Sequence, residues 1–244
     1  MIIQTEAVVI RSTKYSDSDC ILTLFTRKLG KVAAYSKNSR RLKSPLMGSS
    51  QIFSYSNVSL TTRDGRYRLS NADLINNYYK LSSDVQKTYL GYYMLELVDK
   101  MSLEGHANIR MFELLTDSLE ALQFNNDYLL QKNIFEMKIL EYNGIKPSVT
   151  SCISCGKIDN LGNYFSSQEG GRICSNCKES FLSKKLYDTT TFRLMDYIQR
   201  NSLNKILEAK VSNQILEELS TLLDEYIRYH FSEINLKTRE FLIL

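Results

Sequence analysis

The sequence predicts a multidomain α+β chain: a small five-stranded barrel, then helices, with a four-cysteine segment set into the helical part. Three observations predict it. Short runs rich in β-branched and apolar residues fill the first 80 positions, apolar residues recur at helical spacing after them, and two Cys-x-x-Cys pairs lie between residues 151 and 180. The expected organisation is a barrel domain over residues 1–80, a helical domain made of 81–147 and 184–244, and an insert over 148–183.

The strands come first. IQTEAVVIRS is rich in β-branched residues, CILTLFT is a short apolar run ahead of the turn RKLGK, and KVAAYSK follows it. QIFSYSNVSLTT and YRLSNADLI flank RDGR, where Asp64-Gly65 is a two-residue hairpin signal. Five short strands fit a closed or partly open barrel, because closure removes the exposed edges of an isolated sheet.

Helical periodicity takes over after residue 80. Ser83 and Gln86 have capping-box spacing, and Val85, Tyr89, Tyr92, Tyr93, Leu97 and Met101 fall on one stripe. Phe112, Leu115, Leu119 and Leu122 make a second stripe. Leu130, Ile134, Met137 and Leu140 make a third, which stops at Gly144 with Pro147 beyond it. TTTFRLMDYIQR reads as a short helix, and a longer one starts near Ser212, with Ile215, Leu219, Leu222, Leu223, Tyr226 and Ile227 on its buried face. No stripe encircles its helix, so the helices are expected to pack as a bundle around one core.

At 244 residues, 43% hydrophobic and 24% charged, the chain has the composition of an ordinary globular protein. No window reaches the roughly 18 uninterrupted apolar residues of a membrane span, and MIIQTEAVVIRSTK lacks the order of a secretory signal. A cytoplasmic location, with no membrane partner, is the expectation. A reducing compartment disfavours stable disulfides and leaves the cysteine pairs as thiolate ligands or redox centres.

Charge is unevenly distributed. Residues 1–80 carry 13 Lys+Arg against 5 Asp+Glu, and residues 81–244 carry 18 against 22. That asymmetry points to a polyanion partner for the first third. The densest cluster is KNSRRLKS, where Lys37, Arg40, Arg41 and Lys43 are flanked by small polar residues expected to keep the loop mobile along phosphates. Arg63, Arg66 and Arg68 surround the hairpin turn, with Arg66 and Arg68 on one face by the period-two rule. Lys31, Tyr35 and Lys37 alternate likewise, so Tyr35 is expected to offer a stacking surface between two cations. Any one of these charges is an ordinary solvent-facing residue; their clustering makes all nine positions candidate nucleic-acid contacts.

A Cys-x-x-Cys turn presents two sulfurs from one tight loop, and tetrahedral zinc takes four such ligands. Cys152 with Cys155 and Cys174 with Cys177 supply two loops across an 18-residue spacer, within the usual range for a structural four-cysteine zinc site holding one ion. A thioredoxin-like centre needs one such pair in a βαβ setting, and a catalytic zinc keeps an open position; neither pattern is present. Lys157, Arg172, Lys178, Lys184 and Lys185 surround the insert, as DNA contacts or as solvated surface. Cys20, alone in an apolar run, reads as a small buried hydrophobe. His106 and His230 form no triad, and no phosphate-cradling Gly-rich motif occurs, so catalytic residues are expected to be absent.

Several stretches carry a family resemblance. TEAVVIRSTKYSDSDCILTLFTRKLGKVAAYSK, RRLKSPLMGSSQIFSYSNVSL and FEMKILEYNGIKPSVTSCISCG together resemble the RecO family of bacterial DNA repair proteins, and with the helical tail the likeness covers essentially the whole chain. The resemblance implies an oligonucleotide-binding (OB) fold, then a helical domain carrying a zinc finger. It also implies a non-enzymatic mediator, nucleoid-associated in the cytoplasm, that binds single- and double-stranded DNA and anneals strands. It would work with RecR and single-stranded-DNA-binding protein, and help load RecA. One departure stands out: Cys20 follows Asp19 where that family often has a basic residue. The residues alone leave open an RNA-binding accessory module, since small barrels and zinc clips also serve RNA, and a metal-dependent hydrolase.

Overall fold

The computed structural model describes residues 1–232 and 235–242. The expected α+β architecture is found, with a closed five-stranded barrel followed by helices and a cysteine-bearing insert. The chain divides into two compact units: residues 1–125 with the short segment that begins at Thr238, and residues 126–237.

In the first unit, β1 (Ile2–Lys14), β2 (Cys20–Thr26), β3 (Gly30–Ser36), β4 (Tyr55–Arg63) and β5 (Arg66–Asn76) close in the order β1-β2-β3-β5-β4. Every pairing is antiparallel except β3 with β5, which closes the barrel in parallel. Alternate residues fill the interior: Ala7 and Val9, then Leu22 and Leu24, Val32 and Ala34, Val58 and Leu60. Strand β5 breaks that rhythm, since Leu69 and Ala72, three apart, both face inward. The cause is a bulge: Ser59 pairs with Asn71 and Leu60 with Leu69, which leaves Ser70 as an extra residue. The hairpin turn Asp64-Gly65 has φ of 53° and 71°, as a type I′ turn requires.

Helices α1 (Val85–Met101) and α2 (Ile109–Phe124) belong to this unit and cover part of the barrel's outer surface. Phe25 of β2 is fully buried with its ring 6.1 Å from that of Phe112. Ser83 does not cap α1. Asp84 does, accepting hydrogen bonds from the N–H groups of Gln86 (2.7 Å) and Lys87 (3.1 Å), while the Ser83 hydroxyl donates to the Lys80 carbonyl. Because α1 packs on both β1 and α2, its buried face also takes in Leu90, Met94 and Val98, whereas Val85 and Tyr92 are exposed. At Gly30 the barrel closely approaches the connection between α1 and α2. A Cβ there would lie 2.0 Å from the carbonyl oxygen of His106, and the residue sits at φ +67°.

The second unit holds α3 (Tyr128–Tyr142), β6 (Tyr164–Ser166), β7 (Gly171–Ile173), β8 (Lys185–Leu186), α4 (Thr189–Arg200), α5 (Leu203–Leu207) and α6 (Asn213–His230). The stripe expected for α3 is only part of its buried surface. All residues from Leu130 to Leu140 are buried, because α4, α5 and α6 each pack on it. Two of its buried polar side chains find partners on α6. Lys132 Nζ lies 2.9 Å from Glu136 Oε1, 3.1 Å from Asp224 Oδ1 and 2.9 Å from Ser220 Oγ, and the Asn133 amide donates to the Leu216 carbonyl. The small sheet is tied to the helices through Phe165 of β6, whose ring meets those of Phe192 and Tyr226. Among the described residues, no helix is long and apolar enough to cross a membrane.

Candidate nucleic-acid interface and metal centre

The loop between β3 and β4 carries the densest cationic cluster, and its sequence builds hydrogen-bonded turns rather than open chain. The N–H of Arg41 donates to the Asn38 carbonyl, Ser44 to Arg41 and Met47 to Ser44, at 3.0, 2.9 and 3.1 Å. Beyond these turns Leu46 plugs into the barrel core. Successive four-residue turns and an apolar anchor thus define the path of this loop.

These turns place Lys37, Arg41 and Lys43 along one side of a cleft of about 680 Å³. Arg68, Thr61, Ser70 and Asn71 form the other side, from β4 and β5. The bulge at Ser70 matters here, because it leaves Ser70 and Asn71 both facing solvent at the cleft. Neutral side chains share the cleft with the cations, the Thr61 hydroxyl donating to the Arg68 carbonyl, the Ser70 hydroxyl to that of Ser59 and the Asn71 amide to Asp73. Arg40 is exposed at the loop's outer edge, where its guanidinium donates to the Ser16 carbonyl at 3.2 Å. Arg63 and Arg66 are cross-strand partners at the tip of the hairpin, both exposed, with Arg63 Nε 3.6 Å from Asp64.

Lys31 is not part of this group. Its side chain is 13% exposed, and its ammonium donates to the Asp99 backbone carbonyl and lies 3.4 Å from that residue's carboxylate. Period-two alternation correctly puts Lys31 on the outside of the barrel, but α1 covers that patch. Tyr35 consequently does not stand between Lys31 and Lys37. Its cross-strand partner is Arg68, its ring edge meets Tyr15 at 5.7 Å, and its hydroxyl donates to Asp19 at 2.7 Å. Tyr15, which the sequence reading missed, is 68% exposed beside it.

The four cysteines converge. All four Sγ atoms lie within 4.8 Å of one another, and Cys155 and Cys174 are 3.8 Å apart. Zinc–sulfur bonds of about 2.3 Å set the edges of a tetrahedron near 3.8 Å, so the set fits a tetrahedral metal ion with no open position. Each pair sits on its own tight turn: Gly156 N–H donates to the Cys152 carbonyl, and Cys177 N–H to that of Cys174. The two turns are joined through β7, where Ile153 donates to Arg172 and Arg172 to Ser148. Gly171 permits that join, since a Cβ there would lie 2.5 Å from Ile153 and 2.7 Å from the Ser148 carbonyl. Burial pushes the Cys152 thiol up, but hydrogen bonds from the N–H groups of Cys155, Cys174 and Ser154 prevail and bring it down to about 6. A buried sulfur held as thiolate suits a cation at the centre of the cluster.

The basic residues around the insert are mostly engaged. Arg172 donates to the Gly162 and Leu161 carbonyls and stacks 4.4 Å over Phe192, and Lys185 pairs with Glu225 at 2.7 Å. Lys184 donates to the Phe181 carbonyl, and Lys178 lies 5.4 Å over Tyr164. His106 Nδ1 meets the Glu104 carbonyl two residues away, whereas His230 Nε2 meets that of Ser167, 63 residues away, beside the small sheet.

Comparison with known proteins accounts for both halves of the chain. Residues 1–78 match the family described as Recombination protein O N terminal, and residues 82–240 match Recombination protein O C terminal. The chain belongs to the RecO family. A DNA repair protein RecO of Alkaliphilus metalliredigens is 36% identical over 98% of both chains, and one from Caldanaerobacter subterraneus is 30% identical over 98% of this chain and 96% of its own. One from Dehalococcoides mccartyi is 32% identical over 93% and 89%. RecO membership assigns a role in DNA repair and recombination. The RecO family boundary falls between residues 78 and 82, where the barrel ends, whereas the compact units divide after α2.

Proposed function

We propose that this protein is a non-enzymatic mediator of DNA repair whose barrel holds sugar-phosphate chains, and whose insert is a structural zinc clip. One observation carries the reading: Lys37, Arg41, Lys43 and Arg68 line a single cleft together with Asn38, Thr61, Ser70 and Asn71. Clustered cations in a polar cleft suit phosphate oxygens, and contacts of that kind carry no base sequence. Arg40, Arg63 and Arg66 extend the positive surface around the cleft.

Single- and double-stranded DNA share the phosphate chemistry, so both are bound. Neutralising two strands together reduces the repulsion that opposes their meeting, and annealing follows without a bond being made or broken. In this reading residues 1–80 form the DNA-binding domain, and the 148–183 insert, with one zinc ion on Cys152, Cys155, Cys174 and Cys177, braces the helical domain of 81–147 and 184–244. The family resemblance extends it to RecR and single-stranded-DNA-binding protein as partners, to help in loading RecA, and to a nucleoid-associated place in the cytoplasm.

Reversing Arg40 and Arg41 to Glu tests it. Affinity for several unrelated single strands should fall alike, and a loss confined to one sequence contradicts phosphate-directed binding. Matched RNA strands in the same titration test the class of ligand: RNA bound well and DNA poorly would replace this reading with an RNA-binding one.

A further inference from the structure

Asp19 closes the turn between β1 and β2, accepting from the N–H groups of Tyr15 (3.0 Å) and Ser16 (3.2 Å) at its carbonyl. Its own N–H donates to the Ser16 hydroxyl at 3.1 Å. Its carboxylate reaches across to the next connection. Oδ1 accepts from the Asn38 N–H and Oδ2 from the Tyr35 hydroxyl, each at 2.7 Å. These are short, charge-assisted bonds. Asn38 sits at φ +57°, a conformation an unrestrained asparagine adopts only part of the time. A second strut lies alongside, since Arg40 N–H donates to the Ser18 carbonyl at 3.0 Å. The whole cationic loop therefore starts from a point set by a residue on a different connection.

We propose that Asp19 is a positioning residue for the basic face, locking the first turn of the 37–44 loop so that Lys37, Arg41 and Lys43 stand in register along the cleft. This rests on the polynucleotide-binding reading above and deepens it. Long-range charge argues the other way. A carboxylate next to the cationic loop repels a polyanion, so on Coulomb grounds alone its removal strengthens binding. Preorganisation predicts the opposite, because cations that must be ordered on binding lose affinity to that ordering. The two accounts differ in sign.

The test is fluorescence anisotropy with a labelled oligothymidylate single strand, at about 50 and 200 mM salt. Asp19→Ala should bind roughly tenfold more weakly than the native chain, although it gains one unit of positive charge. Tyr35→Phe, at constant charge, should lose about two- to threefold. Asp19→Asn keeps an acceptor for the Asn38 N–H and should recover part of the loss, and amide exchange at Asn38 should accelerate in Asp19→Ala. If Asp19→Ala unfolds, as circular dichroism would show, Tyr35→Phe decides alone: native affinity overturns the proposal. Asp19→Ala binding as tightly as native or tighter, while Arg41→Gln with Lys43→Gln weakens binding, overturns the role of Asp19 and leaves the DNA-binding reading standing. No affinity in the native chain at the lower salt overturns both.

Discussion

Neutralising Arg41 and Lys43 together, by Arg41→Gln and Lys43→Gln, removes two of the four cations that line the cleft. Each phosphate neutralised on a single strand contributes about −0.7 to the slope of log K against log salt. Four cations give a slope near −2.8, so raising salt fourfold lowers the affinity of the native cleft about 50-fold. With two cations left the slope is near −1.4 and the same change costs about 7-fold. Arg40, Arg63 and Arg66 add the same increment to both proteins, so the slope difference of about 1.4 survives whatever they contribute. The assay is a salt titration of single-strand affinity, with Lys210→Gln, an exposed position in the other unit, as the control that leaves the slope unchanged. A double variant whose slope equals the native one refutes the assignment of these side chains to phosphates. A slope change that varies with base sequence refutes the claim that the cleft reads none.

Further predictions concern the scaffold. Gly30→Ala forces a Cβ against the His106 carbonyl in a left-handed conformation and should cost about 2–4 kcal/mol in urea unfolding; an unchanged midpoint contradicts the contact. Cys174→Ala removes a buried sulfur of the four-cysteine cluster and should abolish stoichiometric metal, measured by elemental analysis, while lowering the thermal midpoint to that of chelator-treated native protein. Lys132→Met takes the ammonium from fully buried Glu136 and should cost about 3–5 kcal/mol. Adding Glu136→Leu should restore part of that. At low pH, Asp188 titrates below the usual carboxylate range because it accepts the Thr190 N–H at the start of α4. A depressed folded value means its contribution is complete above the unfolded pKa of about 3.9 and disappears as pH falls through the lower folded value. Asp188→Asn should therefore flatten the acid limb of a stability profile; an unchanged limb removes the cap from the account.

What the sequence determined by itself was whatever depends on neighbours in the chain. The runs CILTLFT and KVAAYSK mark β2 and β3, Asp64-Gly65 marks the hairpin, and the spacing of Cys152, Cys155, Cys174 and Cys177 specifies four sulfurs that meet. The α2 stripe of Phe112, Leu115, Leu119 and Leu122 is buried as its period requires. Periodicity says which face of an element is apolar; it does not say what covers the other face. Only the tertiary structure could pair Lys31 with Asp99, which lies 68 residues away and reaches it through helix packing. The same limit hid the second face of α3, whose polar residues are buried because three other helices surround it. It hid Asp19, whose partner Asn38 is 19 residues distant on another connection. The bulge at Ser70 is also a pairing event, defined by strand β4 opposite and carrying no signature in RYRLSNADLI. Basic composition announced an electropositive end to the molecule; the closure of the barrel decided which of its cations share a cleft.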